Sequence, residues 1–447
     1  MKTKVSFVCQ ECGYDSPQWL GKCPECGMWN TLKEIHISES RIQSSPGVKK
    51  ELNITPKKLS EIKFEKKQRM MTGFSELDSV LGGGIVRGSA VLLAGDPGIG
   101  KSTLLLQIAL KMSSGKDTAL YISGEESEEQ IKLRADRINP SAASGSSKTH
   151  SNFLLISNTN TDLICETIAK TNPSLVIIDS IQTMESENVG SLSGSVGQVR
   201  YAAYSFIKLA KTLRIPIIMV GHVTKEGMVA GPMVLSHMVD TLLFLEGEKF
   251  TSTRILRSLK NRFGPVDEVG IFAMEDQGIK EFQNPEQLFL SKNDSSAKNG
   301  SILAVTMEGT RPFLIEIQAL VIPSKIPIPR RVASGIDYKR LELLLAVLQK
   351  HCNIPLGGMD VFVNVAGGIK LSDPGTDLSI CLSIVSSFKN INLSRKVGIG
   401  EVGLLGEIRK SNSLEKRTRQ ARKLGFKDII SSEKFQTLKD VVNSLSK

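Results

Sequence analysis

The chain has 447 residues, 40% of them hydrophobic and 23% charged, with a formal net charge of +11. That describes globular material for roughly two to four domains. No apolar run approaches the roughly 18 residues of a membrane helix, and the N-terminal MKTKVSFVCQ lacks the apolar stretch of a signal peptide, so a cytoplasmic protein without a membrane partner is expected.

Four cysteines come first: Cys9, Cys12, Cys23 and Cys26, spaced C-x2-C-x10-C-x2-C. Each C-x2-C turn aims two thiolates at one centre, and two turns complete the tetrahedral site of structural zinc. So short a segment buries little core, so the metal would supply its folding energy. A redox dithiol pair is the competing reading, but no βαβ pattern surrounds the cysteines. Four thiolates (−4) and one Zn²⁺ (+2) change the +11 to +9, still a surplus that favours a polyanion such as nucleic acid. Trp19 and Trp29, the chain's only tryptophans, flank the second knuckle. They are expected to pack over the zinc loops, with stacking on a base or partner as the alternative.

Residues 34–56 are polar and read as a linker. The basic stretch KKLSEIKFEKKQR reads as a solvated face, with nucleic-acid contact as the alternative. TGFSELDSVLGGGIVRGS then resembles the entry to RecA-family ATPase cores, where a short helix and a glycine turn lead into the strand before the phosphate loop.

That strand and loop follow at once in AVLLAGDPGIGKSTLLL, residues 90–106. Gly95, Asp96, Pro97, Gly98, Ile99, Gly100, Lys101, Ser102 and Thr103 satisfy GxxxxGK[ST] between an apolar strand and an apolar helix. Glycines let backbone N–H groups turn inward around phosphate oxygens, and the helix N-terminus adds partial positive charge. Lys101 supplies a point charge for the β- and γ-phosphates, and Ser102 a hydroxyl for Mg²⁺. An ordinary glycine turn is the alternative, disfavoured by the flanking pattern. ATP with Mg²⁺ is the expected ligand.

Strand and helix signals then alternate: TALYIS (118–123), a helix in ESEEQIKLRADRI, FLLIS (153–157), a helix in TDLICETIAKT, LVIIDS (175–180) and IPIIMVGHVTK (215–225). The alternation implies a parallel sheet covered by helices, with ligands at the carboxyl ends of the strands. Asp179 fits the carboxylate that holds Mg²⁺, or else caps the next helix. Glu125 matches the water-activating glutamate of RecA-like proteins; Glu126 is the close alternative, and a solvated acidic turn the third. His222 stands where such folds place a γ-phosphate sensor, although a histidine at a strand end is commonly structural. Residues 184–200 and 224–239 read as long loops, which in RecA-like proteins contact single-stranded DNA.

The sharpest signature is KNRFG: Lys260, Asn261, Arg262, Phe263 and Gly264. This pentapeptide, after a C4 finger and a RecA-like core, resembles that of the bacterial RadA (Sms) family of DNA-repair ATPases. The family order also has a C-terminal domain similar to that of Lon protease. The resemblance implies an α/β fold: a zinc finger over 1–33, a linker over 34–56, a RecA-like ATPase domain over 57–286 with a mostly parallel sheet, and an α+β Lon-like domain over 287–447. It implies that Lys260 and Arg262 act on the nucleotide or DNA of a neighbouring subunit, an arginine-finger arrangement; a solvated hairpin is the alternative.

In the last domain SILAVTMEGTRPFLIEIQALVIPS reads as strands, RRVASGIDYKRLELLLAVLQKH as a helix, and DVFVNVAGGIKLSD as a strand pair. The resemblance places Gly375 or Thr376 where Lon enzymes carry their serine, and Glu415 where they carry the lysine. Lys416 is one residue off, about 100° around a helix, and Ser372 and Ser379 have no evident base. IRKSNSLEKRTRQARKLGFK carries eight Lys or Arg against one Glu; it reads as DNA contact, a solvated face or ring assembly.

The expected function is thus a DNA-dependent ATPase that promotes branch migration and heteroduplex extension in DNA repair and recombination. The resemblance implies single-stranded and branched DNA, a RecA recombinase or its filament, and a homo-oligomeric ring (a hexamer) as partners, ATP, Mg²⁺ and Zn²⁺ as cofactors, and a cytoplasmic, nucleoid-associated setting. A Lon-type protease and a KaiC-like signalling ATPase are the alternatives.

Overall fold

The computed structural model describes residues 4–9, 14–25, 27–37, 58, 69–113, 115, 117–138, 152–222, 235–247, 252–282, 299–368 and 370–445. The chain divides into two compact units, Met1–Val266 with Gly270–Glu281, and Asp267–Val269 with Phe282–Lys447.

The N-terminal segment of the first unit pairs β1 (Lys4–Cys9) with β2 (Asp15–Ser16) and β3 (Leu32–Ile37), all antiparallel. Its core is small: Cys9, Cys23 and Leu32 are buried, with Phe7, Tyr14 and Leu20 packed against them. The rings of both tryptophans lie against Gly21, ahead of the second knuckle, yet Trp19 is 55% and Trp29 68% exposed. Trp19 donates its indole N–H to the Leu32 carbonyl at 3.1 Å, and the Lys22 ammonium lies 5.6 Å from the Trp29 ring.

Beyond it, β4 (Arg69–Met70), α1 (Ser75–Val80) and β5 (Ile85–Val86) lead into β6 (Ala90–Gly95), every residue of which is buried. The chain continues through α2 (Lys101–Met112), β7 (Ala119–Ser123), α3 (Glu128–Ile138), β8 (Phe153–Ser157), α4 (Thr161–Thr171), β9 (Leu175–Asp179), α5 (Val196–Leu213) and β10 (Ile217–His222). Then come β11 (Thr241–Glu246), β12 (Thr253–Asn261), β13 (Val269–Glu275) and β14 (Gly278–Glu281). These strands form one sheet in the order β14-β13-β12-β11-β6-β10-β9-β7-β8. The run from β11 to β8 is parallel, and the pairs β11/β12 and β13/β14 are antiparallel. Helices cover both faces: α1, α2 and α3 contribute Val80, Leu104 and Ile131 to one apolar cluster, α4 and α5 contribute Ile168 and Phe206 to the other. Burial on both sides is why these strands read as continuous Val/Ile/Leu runs rather than alternating ones.

The segment 184–200, expected as a loop throughout, becomes α5 at Val196, where the Ser195 hydroxyl accepts the Gln198 N–H. Val199, Ala202, Ala203 and Phe206 then repeat on one buried face, a helical period that overrides the glycine and serine content before it. The Gln198 amide donates to the carbonyls of Ser186, Val189 and Ser191 at 2.9–3.0 Å, tying the remaining loop to the helix. Of the second expected loop, residues 224–234 lie outside the described residues.

The second unit holds a six-stranded mixed sheet. Its strands are β15 (Ser301–Glu308), β16 (Arg311–Pro323), β17 (Arg331–Ser334), β18 (Met359–Val365), β19 (Leu393–Ile399) and, after the short pair β20 (Glu401–Val402) and β21 (Ile408–Arg409), β22 (Ile429–Ser431). Their order is β17-β18-β16-β15-β19-β22. Helices α6 (Tyr338–Cys352), α7 (Asp377–Lys389), α8 (Leu414–Lys423) and α9 (Leu438–Ser444) accompany it, with α7 packed on β15, β16 and β19. Two expectations change here. Arg331–Ser334 is a strand, and the helix starts only at Tyr338, where Asp337 caps the Arg340 N–H at 2.9 Å. Residues 360–373 give one strand rather than a pair, because a glycine turn at Ala366–Gly368 ends it. Among the described residues no helix is long and apolar enough to cross a membrane.

Candidate active site

The phosphate loop leaves β6 at Gly95, whose φ of +152° and close approach to the Leu245 carbonyl leave no room for a side chain: a Cβ would lie 2.3 Å from that oxygen. Gly100, at φ +112°, needs glycine for its backbone conformation, with the movable tip of the Met274 side chain against it. Between them Asp96, Pro97 and Gly98 are exposed and Ile99 is buried. Lys101, Ser102 and Thr103 form the first turn of α2, and among the described residues no side chain caps that helix N-terminus. Its N–H groups are therefore open to an anion. Lys101 is 3% exposed and folds back to donate to the Gly95 and Asp96 carbonyls at 2.9 and 3.0 Å. Burial pushes its ammonium below the usual lysine range, while Asp179, Asp96 and Glu125 pull the other way. An arriving phosphate would restore a full counter-charge to this buried cation.

Parallel register brings the acidic residues to the same end: Ser123 pairs with Asp179 across β7 and β9, and His222 pairs with Gly95 across β10 and β6. The side chain of His222 lies outside the described residues. Asp179 is buried and accepts a hydrogen bond from the Tyr121 hydroxyl. Burial first, and then the charge of Asp179, raise the Tyr121 phenol well above its ordinary range, so it stays a donor. The two neighbouring glutamates part company. Glu125 accepts the Ser180 hydroxyl at 2.6 Å, beside Asp179, whereas Glu126 is ion-paired with Arg134 on α3.

Arg254 on β12 is buried and donates its Nε to the Ile99 carbonyl at 3.1 Å, bracing the loop from below. Tyr121, Ser180 and Arg254 were not signalled by any motif. Only the polar-tipped aromatic inside the aliphatic run ALYIS hinted at one of them.

The KNRFG pentapeptide ends β12 and turns away from it. Asn261 pairs with Thr241 at the start of β11, whereas the phosphate loop adjoins Leu245 near its end. Four residues of strand separate the two levels, about 13 Å along the sheet. Asn261 accepts the Phe263 N–H at 2.9 Å in a tight side-chain turn, and Arg69 donates to the Phe263 carbonyl at 2.6 Å. Gly264 packs against Gly82, where a Cβ would meet its Cα at 3.1 Å. Lys260 donates to the Ser236 and His237 carbonyls at 2.7 and 3.3 Å. Its ammonium is pushed down by desolvation and by neighbouring Arg262, with Asp240 opposing. Arg262 pairs with Asp240 at 3.3 Å, and its side chain is 57% exposed.

Of the zinc ligands expected at the N-terminus, Cys9 and Cys23 are buried, and Cys12 and Cys26 lie outside the described residues. The Gly27 N–H donates to the Cys23 carbonyl at 2.9 Å, a turn of the kind a knuckle requires. A small core with two buried cysteines, one of them opening a tight turn, fits a structural zinc ion.

In the second unit the positions matching a Ser–Lys dyad do other things. Thr376 is buried and donates to the Asp373 carbonyl at 2.8 Å; Ser379 is buried against the Leu303 and Gly398 carbonyls. Ser372, Glu415 and Lys416 are exposed. One cation of the basic run departs from the solvated or DNA-facing reading: Arg417 is 1% exposed and donates to both oxygens of Asp373 and to the Val305 carbonyl. It lies under Gly375, whose missing side chain makes room for the guanidinium.

Residues 56–228 match the model of an AAA domain family, and residues 7–34 that of a rubredoxin metal-binding domain. A protein of Bacillus subtilis described as DNA repair protein RadA is 47% identical over 96% of this chain and 92% of its own length. Its counterpart in Halalkalibacterium halodurans is 46% identical over 97% of this chain and 93% of its own. A solved structure described as the RadB recombinase aligns at 23% identity over 47% of this chain and 99% of that one, with a TM-score of 0.38.

Proposed function

The chain belongs to the RadA family of DNA repair proteins, and on that premise we propose that it is a DNA-stimulated ATPase that drives branch migration and heteroduplex extension in recombination. It is an ATP hydrolase of DNA repair that uses ATP with Mg²⁺ and carries a zinc ribbon. In this reading the loop Gly95–Thr103 and the first turn of α2 bind the phosphates, with Lys101 on the β/γ-oxygens. Ser102 and Asp179 would hold Mg²⁺, which neutralises charge developing between those phosphates. Glu125, turned toward Asp179 by Ser180, orients the attacking water, and Glu126 is spent on Arg134. His222 is the candidate sensor at the end of β10.

The observation that carries the reading is the separation of the two signatures. The KNRFG turn lies about 13 Å along the sheet from its own phosphate loop, so its exposed Arg262 suits a neighbour's nucleotide. Trans action of Lys260 and Arg262 goes with a homo-oligomeric ring, a hexamer in this reading. Single-stranded and branched DNA are the substrates, and a RecA-type recombinase or its filament is the protein partner, in a cytoplasmic, nucleoid-associated setting. Residues 1–33 are then the zinc finger, 34–56 a linker, 57–286 the RecA-like motor and 287–447 a Lon-like domain without protease chemistry. The buried Thr376 and the exposed Lys416 support its inactivity.

The test is steady-state ATP hydrolysis with and without single-stranded DNA at two salt concentrations. Stimulation that weakens with salt is expected for phosphate contacts. A rate indifferent to DNA would overturn the motor reading in favour of a signalling ATPase.

A further inference from the structure

The pentapeptide turn is fastened to the strand that carries the phosphate loop by a buried carboxylate outside every motif. Asp240, immediately before β11, is 2% exposed. One of its carboxylate oxygens accepts the Ala90 N–H at 3.0 Å and pairs with the Lys211 ammonium from α5. The other meets the Arg262 guanidinium at 3.3 Å, and the Asp240 carbonyl accepts the Arg262 N–H at 3.1 Å. Ala90 opens β6, whose far end is Gly95. One residue therefore grips the base of the phosphate-loop strand and both the backbone and the side chain of Arg262.

We infer that Asp240 is the positioning residue of the KNRFG turn, holding Arg262 so that its outward-facing nitrogens meet the phosphates of a neighbouring subunit's nucleotide. This rests on the trans reading above. A guanidinium is a rigid planar fork, so fixing one nitrogen sets the direction of the others. A buried carboxylate is a weak device for stability but an effective one for orientation. Lys211 pairs with the oxygen that accepts the Ala90 N–H and not with the one that meets Arg262, so it ties α5 to β6 and leaves the grip on Arg262 to Asp240.

The experiment uses the full chain. It measures ATP hydrolysis with single-stranded DNA, and binding of a fluorescent ATP analogue as the control for folding. Asp240→Asn should lower the DNA-stimulated kcat about tenfold or more while leaving KM for ATP and analogue affinity unchanged, because orientation and not the phosphate loop is lost. Arg262→Ala should fall as far, and the double variant no further. Asp240→Glu should recover part of the rate, and Lys211→Met should keep it within about twofold of the parent. Wild-type kcat in Asp240→Asn, or losses that multiply in the double variant, would overturn the proposal. So would a Lys211→Met as slow as Arg262→Ala, which makes Asp240 a mere tie between α5 and β6. Should Asp240→Asn fail to bind the analogue, the contrast between Lys211→Met and Arg262→Ala decides on its own. Full activity in Arg262→Ala removes the trans reading and the proposal together, whereas a slow Arg262→Ala beside a fast Asp240→Asn removes the proposal alone.

Discussion

At the carboxyl ends of β7 and β9 three side chains hold three carboxylates in different settings. Tyr121 fixes Asp179, and Ser180 fixes Glu125 at 2.6 Å, while Arg134 removes Glu126 from the contest. Glu125→Gln is therefore expected to lower hydrolysis about a hundredfold or more with nucleotide binding retained; Glu126→Gln should stay near the parent rate. Parallel turnover and binding assays on the two variants separate them, and the reverse ranking would reassign the base. Lys101→Ala should cost about a thousandfold in kcat, since it removes the buried lysine of the phosphate loop. Lys101 and Asp179 were legible in the sequence because their signals are local: a loop of fixed spacing, and an acidic residue closing an apolar strand. Asp240, Arg254 and Ser180 were not, because their partners are fixed by sheet register between distant segments, which no spacing along the chain encodes.

Among the elements, α8 shows how a run of cations misleads. Five of its ten residues are Lys or Arg, yet the face bearing Leu414, Arg417 and Ala421 is buried, and Arg417 fills the floor beneath Gly375. Burial alone would raise the Asp373 carboxyl, but the hydrogen bonds and charge of Arg417 and the N–H groups of Met307 and Gly375 outweigh it, and the carboxyl titrates below its ordinary value. The stability it contributes is thus fully present above about pH 4 and is lost as pH falls through the lower folded value. Arg417→Met should destabilise the second unit by about 3–5 kcal/mol at neutral pH, because it strands a buried charge. The gap from the parent should shrink as pH falls, since the variant's stranded carboxyl takes up its proton first, and close as the pH passes the parent's lowered value. Urea midpoints against pH would show it; a gap that stays constant to pH 3 would mean packing and not the ion pair is lost. Which cation of α8 faces inward is not legible in the sequence, since the deciding partner lies on the turn before α7.

For the molecule as a whole, order along the chain was readable at each scale where one segment carries its own signal. Strand and helix alternation gave the sheet and its helices, and failed at α5, where a serine cap and a buried period hid behind glycine and serine. The zinc ribbon is a separate case, a fold too small to stand on apolar burial. Stripping zinc with a strong chelator should unfold it and lower the tryptophan fluorescence anisotropy, a clean reporter because both tryptophans of the chain lie there. Affinity for an ATP analogue should be unchanged, as the phosphate loop belongs to the nine-stranded sheet; a parallel loss would show that the ribbon props the nucleotide site. The distance between the two ends of that sheet also sets an arithmetic for assembly. If one end offers the cation and the other receives it, contact between copies is head-to-tail and never self-complementary. An open stack of n subunits then completes n − 1 sites, with one loop unserved at one terminus and one turn idle at the other. Only closure completes all n, so turnover per subunit should climb with protein concentration until the last gap is sealed.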